Sequence, residues 1–273
     1  MIPVPLENGL RALGSAVVAY SGGVDSTYLA WSAAQVLGDR CLAVIADSAS
    51  LPRAELDEAL EVAENAGFSV EVVRTDEFER EDYLRNAADR CFHCKEALFN
   101  QLFPFAADRG YAHVCLGTVT DDLGDIRPGL VSAKRCGARQ PLIEADLSKA
   151  DVRSFAHAAG LPVWDKPQAA CLSSRIPHGT RVTRDALAQI EQAEAGVRAL
   201  GFGLVRVRHH GDTARVEVDD VARLQQEPYR SDAIAAVRAA GYRDVVLDPR
   251  GYRTGGAQLP ILTQDAPSGA PSN

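Results

Sequence analysis

The sequence predicts an α/β protein with an open, mostly parallel sheet, helices on both faces of that sheet and a smaller α+β domain at the C-terminal end. Three observations lead to this prediction. Short β-branched runs alternate with helical segments over the first part of the chain. The order of elements changes after about residue 180. The 273 residues, 46% of them hydrophobic, suffice for one large and one small core.

Four β-rich runs have the composition of strands that a doubly covered parallel sheet buries. They are "GSAVVAY" (14–20), "RCLAVIAD" (40–47), "SVEVVRT" (69–75) and "AHVCLGT" (112–118). Helical segments lie between and after them, namely "TYLAWSAAQVL" (27–37), "PRAELDEALEVAENAG" (52–67), "CKEALFNQLFPFAADRG" (94–110) and "SKADVRSFAHAAG" (148–160). Ser148 is a candidate cap for the last of these helices.

The second part of the chain predicts a helix, a hairpin, a further helix and a strand. These are residues 183–200, the runs "LVRVRHH" and "ARVEV" around Gly211 and Asp212, residues 231–240 and "DVVLD". We therefore expect a main domain over 1–180, a smaller substrate-binding and oligomerisation domain over 181–257, and a disordered tail over 258–273, where small polar residues and proline accumulate.

The overall charge argues against a polyanionic partner. The formal net charge is −8 and the pI is about 5.3, so we expect no nucleic-acid partner. No apolar run approaches the roughly 20 residues that span a bilayer, and the N-terminus has no signal-peptide pattern. We expect a cytoplasmic protein without a membrane partner, whose six cysteines are reduced thiols, metal ligands or catalytic groups.

The stretch "AYSGGVDSTYLAW" (19–31) lies where the first strand meets the first helix. Free N–H groups and the helix dipole favour an anion at such a junction, and glycines let the backbone approach it closely. The stretch has neither the lysine of the Walker loop nor the glycine spacing of the dinucleotide turn. We predict a phosphate site formed by Ser21, Gly22, Gly23, Asp25 and Ser26; the alternative is a tight turn with hydroxyl caps.

This stretch resembles the PP-loop of the ATP pyrophosphatases, which split ATP between the α and β phosphates and leave an adenylated substrate. The resemblance implies that the loop holds the pyrophosphate portion of ATP and that Asp25 is a catalytic residue that binds Mg²⁺. It also implies a nucleophile that later displaces AMP. Ammonia would make the chain an amide-forming enzyme, whereas sulfur would make it a thiolating one.

A second polar stretch, "TDDLGDIRPG" (120–129), follows the fourth strand. Open α/β sheets place their ligand-binding loops after the carboxyl ends of the strands. Asp121, Asp125 and Arg127 are therefore candidates for contacts with ATP or with the adenylated intermediate. The alternative is that all three are solvated loop charges.

The cysteines distinguish a sulfur-transferring enzyme from an amide-forming one. Cys91 and Cys94 form a Cys-x-x-Cys pair, which serves zinc, iron–sulfur clusters and redox exchange alike. Cys171 lies in a loop with Arg175, whose guanidinium would stabilise a thiolate and bind a phosphate or carboxylate. We interpret Cys41, Cys115 and Cys136 as structural.

Six segments, spread in order over nearly the whole chain, resemble the LarE family of ATP-dependent sulfur transferases. They are "AYSGGVDSTYLA", "DIRPGL", "GARQPLIEAD", "ADVRSFAHAAGLPVWDKPQAACLSSRIPHGT", "ALGFGLVRVRHHGDTARVEV" and "GYRDVVLDPRGYRTG". The resemblance implies adenylation of a carboxylate of pyridinium-3,5-biscarboxylic acid mononucleotide. The carboxylate then becomes a thiocarboxylate, a step in building the nickel-pincer nucleotide cofactor of lactate racemase.

The resemblance implies two sources for the sulfur. Cys171 matches the cysteine that gives up its own sulfur in members with only that cysteine. Members that also carry a pair like Cys91 and Cys94 are similar to enzymes that bind a [4Fe–4S] cluster on three thiolates, with one iron free to carry sulfide. We favour the cluster, because sulfide on iron can be replenished.

The resemblance also implies roles for charged residues in the second part of the chain. Arg206 and Arg208 match positions that bind the substrate phosphate, and Arg253 is a further candidate of this kind. Glu194 and Glu217 match acidic residues that bind a metal at a subunit interface in some members, so we expect a homo-oligomer. The alternative for both sets is plain exposed surface.

Three other functions remain open from the sequence. A transfer RNA thiolase would use the same loop and a three-cysteine cluster, but it needs a basic face or an RNA-binding domain. An amide-forming synthetase of the NAD synthetase type shares the loop without needing the cysteines. A non-catalytic ATP-binding module would leave both the cysteine pair and the matched arginines unused.

Overall fold

A four-stranded parallel sheet forms the centre of the first of two compact units. The computed structural model describes residues 1–124, 135–167, 170–253 and 256–258. The first unit comprises Met1–Leu84 and Ala88–Ala170, and the second comprises Arg85–Ala87 and Cys171–Asn273. The tail predicted over 258–273 lies outside the described residues from residue 259 onward.

The four strands of the first unit coincide with the four predicted runs. They are β1 (Ala16–Tyr20), β2 (Cys41–Asp47), β3 (Val70–Arg74) and β4 (His113–Leu116). Their order across the sheet is β3-β2-β1-β4, and every pairing is parallel. The prediction of an open parallel sheet is therefore confirmed.

Helices cover both faces of this sheet. They are α1 (Val4–Leu13), α2 (Val24–Leu37), α3 (Arg53–Ala66), α4 (Glu81–Leu84), α5 (Arg90–Asp108), α6 (Pro141–Glu144) and α7 (Lys149–Ala158). Alternate residues of β1 face opposite layers, as strand geometry requires. Ala16 and Val18 pack in the core that includes α1, α2, α3 and α7, whereas Val17 packs with Leu98 and Leu102 of α5.

The expected burial is wrong for β3. Glu71, Val72 and Arg74 are exposed, because β3 pairs with β2 alone among the described strands and lies at the edge of the sheet. Two helix caps match the sequence. Ser148 forms a reciprocal capping box with Asp151 at the start of α7. Thr183 accepts the Ala186 N–H at the start of the next helix.

The second unit contains a smaller mixed sheet packed on helices, as predicted. Its elements are α8 (Arg184–Arg198), β5 (Val205–His210), β6 (Thr213–Val218), α9 (Val221–Leu224), α10 (Tyr229–Ala239) and β7 (Asp244–Leu247). β5 and β6 are antiparallel, and β7 runs parallel to β6. Gly211 makes the hairpin turn with a φ of +65°. In the described part of the chain, no helix is long and apolar enough to cross a membrane.

Candidate functional site

The predicted phosphate loop joins β1 to α2 in the first unit. Ser26 Oγ accepts the Ser21 N–H at 3.1 Å and lies 3.0 Å from Ser21 Oγ. The hydroxyls of Ser26 and Thr27 both donate to the Gly23 carbonyl, at 3.1 and 2.9 Å. Gly23 is the N-cap of α2, and among the described residues no side chain caps that end. The first N–H groups of α2 therefore remain available for an anion.

Two glycines let the loop close. Gly22 has a φ of +71°, and a Cβ placed on it would lie 2.8 Å from the Ala59 Cβ of α3. Gly117, one residue after β4, lies against the start of α2. A Cβ on Gly117 would lie 2.7 Å from the Ser26 nitrogen, closer than backbone and side chain can approach. The sequence analysis took Gly117 only as the end of a strand.

Asp25 presents a carboxylate from the first turn of α2. One oxygen, Oδ2, is paired with the ammonium of Lys149, while Oδ1 is buried and has no hydrogen-bond partner among the described residues. Burial raises the pKa of Asp25, although Lys149 opposes this shift. An unused carboxylate oxygen beside uncapped helix N–H groups is a suitable ligand for a divalent cation that accompanies a phosphate.

Lys149 is a site residue that the sequence analysis missed. It is the first residue of α7, and its backbone N–H donates to Asp121 Oδ2 at 2.7 Å. The preceding Leu147 carbonyl accepts the Thr120 N–H at 3.0 Å. These bonds join the start of α7 to the loop after β4. The sequence carried one indication of this role. Lys149 directly follows the predicted cap Ser148, so it is the first residue of a helix.

The loop after β4 contains three predicted site residues. The carboxylate of Asp121 holds the Lys149 backbone. Asp125 and Arg127 lie outside the described residues. The predicted contacts of all three with nucleotide stay predictions.

Cys91 and Cys94 lie three residues apart near the start of α5, the former exposed and the latter half-buried. Residues with this spacing lie on one side of a helix. Cys41 and Cys115 are buried, and burial raises the pKa of each of these thiols to about 12. Across residues 1–124, 135–167, 170–253 and 256–258, no three His, Cys, Asp or Glu side chains are grouped to bind one metal ion. The predicted iron–sulfur cluster therefore stays a prediction.

Cys171 begins the longer segment of the second unit and immediately precedes a 3₁₀ helix, Leu172–Arg175. Arg175 is 1% exposed, and its Nη1 donates to the Cys171 carbonyl at 2.8 Å. Its Nε and Nη2 form a two-pronged pair with Glu194, at 2.8 and 3.0 Å. Arg175 thus anchors the backbone of Cys171 to α8. The predicted phosphate and thiolate contacts of this guanidinium stay predictions.

Glu194 is fully buried and joins α8 to β5. Its Oε1 accepts the Val207 N–H at 3.0 Å, and its Oε2 accepts Arg198 Nη2 at 2.7 Å, in addition to the two bonds from Arg175. Burial by itself raises the pKa of Glu194, but the surrounding guanidiniums of Arg175, Arg198 and Arg206 outweigh burial and lower it. A metal ion would have to compete with these donors for the carboxylate.

Glu217 is the second buried carboxylate, on β6. Arg208 donates to its Oε2 through Nε and Nη2, at 3.0 and 2.8 Å, and Arg215 Nη2 lies 3.1 Å from its Oε1. Arg208 Nη2 also donates to the Arg253 carbonyl at 3.1 Å. The predicted metal roles of Glu194 and Glu217 stay predictions, but the alternative of an exposed surface is wrong, because both side chains are 0% exposed.

Arg206 differs from its neighbours on β5. It is 7% exposed, donates to the Val205 carbonyl at 2.8 Å and lies 5.6 Å from the Tyr252 ring. It forms no ion pair within the described part of the chain. Burial and the nearby Arg175 lower its pKa. The two valines of β5, Val205 and Val207, pack in the core on the opposite face, as predicted.

These side chains form an arginine cluster with an excess of positive charge. Among the described residues, three carboxylates, Glu194, Glu217 and Asp248, are surrounded by seven guanidiniums, those of Arg175, Arg198, Arg206, Arg208, Arg215, Arg250 and Arg253. Arg253 pairs with Asp248 through Nη2 at 3.0 Å, and its buried Nε has no partner among the described residues. Guanidinium donors without carboxylate partners favour an anionic ligand such as a phosphate.

Comparison with known proteins identifies the family. No protein-family model matches the chain. It is 38% identical over 252 residues to the pyridinium-3,5-bisthiocarboxylic acid mononucleotide synthase of Lactiplantibacillus plantarum, over 92% of this chain and 91% of that protein. The chain belongs to this synthase's family, LarE. It is therefore an enzyme of the sulfur-transferase type, as the resemblance predicted.

Two further relatives of this LarE-family chain are uncharacterised proteins. One, from Synechocystis sp., is 39% identical over 260 residues, which are 93% of this chain and 97% of that protein. The other, from Methanocaldococcus jannaschii, is 25% identical over 239 residues, which are 87% of this chain and 90% of that protein. These matches extend over both compact units, so the family assignment applies to the phosphate loop and to the arginine cluster.

Proposed function

We propose that this chain uses ATP to adenylate a carboxylate of pyridinium-3,5-biscarboxylic acid mononucleotide and then replaces AMP with sulfur, which forms a thiocarboxylate. The Lactiplantibacillus plantarum relative is a pyridinium-3,5-bisthiocarboxylic acid mononucleotide synthase, which supports this substrate class. The product is a precursor of the nickel-pincer nucleotide cofactor of lactate racemase. The chemistry proceeds in the cytoplasm, where thiols stay reduced.

One observation carries the nucleotide part of the proposal. Asp25 has a buried oxygen without a described partner, and it lies at the uncapped start of α2 beside the Lys149 ammonium. This arrangement supplies a metal ligand, N–H donors and a cation at one place. Asp25 would hold Mg²⁺, which on binding neutralises charge on the leaving pyrophosphate.

The reaction divides into two displacements. An oxygen of the substrate carboxylate attacks the α phosphorus of ATP, and the bond to the pyrophosphate oxygen breaks. Ser21, Gly22, Gly23 and Ser26 bind the pyrophosphate portion, with Asp121, Asp125 and Arg127 as further nucleotide contacts. A sulfur nucleophile then attacks the carbonyl carbon of the acyl adenylate, and AMP leaves with the bonding electron pair.

The arginine cluster binds the phosphate of the mononucleotide. Arg206 is the main donor, because its guanidinium is buried and makes no carboxylate pair in the described part of the chain. Arg208 and Arg253 support it, and Arg175 contributes through its hold on the Cys171 backbone. Each charge-assisted bond to a phosphate contributes roughly 2 kcal/mol when partly buried.

The sulfur is supplied through three cysteines. Cys91, Cys94 and Cys171 would hold a [4Fe–4S] cluster, a group that would present sulfide as a renewable nucleophile. The pair near the start of α5, with Cys91 exposed and Cys94 half-buried, supports this proposal, because cysteine side chains are the usual ligands of such clusters. In a homo-oligomer, Glu194 and Glu217 are further candidate metal ligands.

Site-directed variants test the cysteines. Changing any one of Cys91, Cys94 and Cys171 to serine should remove the cluster absorption of anaerobically purified protein and also multiple-turnover thiolation. Suppose instead that C91S and C94S keep full activity, C171S is inactive and each active wild-type molecule loses the mass of one hydrogen sulfide. Cys171 is then a sacrificed sulfur donor and the cluster is rejected.

The adenylation step has its own test. D25A should abolish substrate-dependent pyrophosphate release, because the ligand for Mg²⁺ is lost. D57A is the matched control, since Asp57 is an exposed carboxylate on α3 of the same unit and should leave release unchanged. Unchanged pyrophosphate release by folded D25A would reject the assignment of the loop.

A further inference from the structure

We propose that Lys149 is a mobile counter-ion of the nucleotide site: its ammonium occupies Asp25 before the metal binds and moves to the phosphates when the metal arrives. The inference rests on the proposed nucleotide site. It assigns a role to a residue that lies outside the phosphate loop and outside the polar stretch after β4.

The backbone of Lys149 is held, so that only its side chain is free to move. The Ser148 and Asp151 capping box fixes the start of α7, and Asp121 accepts the Lys149 N–H at 2.7 Å. Leu147 is bonded to Thr120 in addition. Beyond this fixed point, the side chain is a flexible four-carbon stem with a compact charge. About a third of it is exposed, 32%, so the ammonium has solvent-accessible space to enter.

The carboxylate of Asp25 is the group at which a divalent cation would replace the Lys149 ammonium. Its side chain is 18% exposed, and a carboxylate with so little access to water requires a cationic partner. Lys149 supplies that partner at Oδ2, and Oδ1 remains open. A divalent cation that binds this carboxylate repels the ammonium at close range. A phosphate on the uncapped N–H groups at the start of α2 would then offer the ammonium a compensating anion.

This role predicts that K149M changes the binding of two probes, Mn²⁺ and pyrophosphate, in opposite directions. Mn²⁺ alone, titrated by its electron paramagnetic resonance signal, should bind about tenfold more tightly, because no ammonium competes for Asp25. Inorganic pyrophosphate alone, titrated by calorimetry without metal, should bind about tenfold more weakly, because a cation has been removed from its site. A merely structural lysine would weaken both probes together.

Two controls keep the test sharp. K149R retains the charge and should leave pyrophosphate binding within about threefold of wild type. K166M removes a lysine of the same unit that is paired with Glu55 and Glu58, each at 2.8 Å, and should alter neither titration. Circular dichroism identifies variants that fail to fold, and K149Q replaces K149M if that variant does.

The possible failures are distinguishable. If wild-type protein binds neither Mn²⁺ nor pyrophosphate, the nucleotide site itself is rejected and the role of Lys149 with it. If wild type binds both but the folded variant weakens both, or leaves both unchanged, the nucleotide site stands and the exchange by Lys149 is overturned.

Discussion

The phosphate loop of the first unit and the arginine cluster of the second are candidate anion sites that are built in two different ways. The loop relies on backbone N–H groups, on glycines that allow close approach and on a single lysine–aspartate pair. The arginine cluster relies on side-chain charges, with Arg175, Glu194, Arg208 and Glu217 almost fully buried. The first site depends on backbone shape, whereas the second depends on charge balance inside a protein core.

The difference determines what each site tolerates. A buried ion pair costs desolvation, and it is stable only while every partner is present. A backbone site carries little desolvation cost, but it fails when an added atom displaces the chain. Charge removal should therefore harm the second unit most, and added volume should harm the loop most. Variants of the arginine cluster and of the phosphate loop test this contrast.

The largest effect is expected for E194Q. It removes one charge from a fully buried group that accepts four N–H bonds, and it leaves the Arg175 guanidinium without its ionic partner. The second unit should lose about 3–5 kcal/mol in its free energy of unfolding, measured by denaturant titration. D185N, an exposed change on the same helix, should cost less than about 1 kcal/mol.

The pH dependence of E194Q sharpens the same prediction. Arg175 and its neighbours outweigh the effect of burial and hold the pKa of Glu194 below its ordinary 4.5. The ionised carboxylate thus stabilises the folded state fully above about pH 4.5, and this contribution is lost as the pH falls through the lowered pKa. Wild type should lose stability over that acid range more steeply than E194Q. Parallel curves would contradict the assignment.

G117A is the corresponding change at the loop. Its new methyl group would lie 2.7 Å from the Ser26 nitrogen, so the start of α2 must shift. A misplacement of this kind costs about 100-fold in rate, measured as pyrophosphate formation. G9A is the control, because a Cβ on Gly9 of α1 meets nothing within 4 Å. Full activity of G117A would show that the loop does not depend on this close approach.

R206M tests the arginine cluster as a substrate site. Affinity for pyridinium-3,5-biscarboxylic acid mononucleotide, measured by calorimetry, should fall by about 2 kcal/mol, roughly 30-fold, while ATP affinity is preserved. R208M should act in the same direction. R243M changes an arginine whose side chain is 74% exposed, and should have no effect. An equal loss of ATP binding in R206M would mean that Arg206 belongs to the nucleotide site.

The smallest effect is expected for S148A. It removes the side chain that accepts the Asp151 N–H at 3.2 Å and one half of the capping box of α7. The first unit should lose about 1 kcal/mol, as for other caps. Pyrophosphate formation should decline only slightly, because Asp121 still holds the Lys149 backbone. A loss of pyrophosphate affinity in S148A as large as the loss expected for K149M would give the cap a larger part in positioning this lysine.

Much of the fold was predictable, because its elements follow local patterns. The four parallel strands, the hairpin around Gly211, the cap at Ser148 and a helix starting at residue 183 were all predicted. The exposure of β3 was not predictable from its composition, since a β-branched run can have the same composition at the centre and at the edge of a sheet. The position of a strand in a sheet depends on its partners.

The candidate site divides in the same way. The sequence by itself determined the phosphate loop, because Ser21–Thr27 is continuous and its glycines act on their own backbone. It also determined that Arg206 and Arg208 share one face of a strand, since side chains alternate with a period of two. Only the tertiary structure decided three contacts. Lys149 pairs with Asp25, and Gly117 lies against the backbone of Ser26. Glu194 forms a buried ion pair with Arg175. Each of these pairs is distant in sequence, and no local pattern encodes a contact made when separate elements pack together.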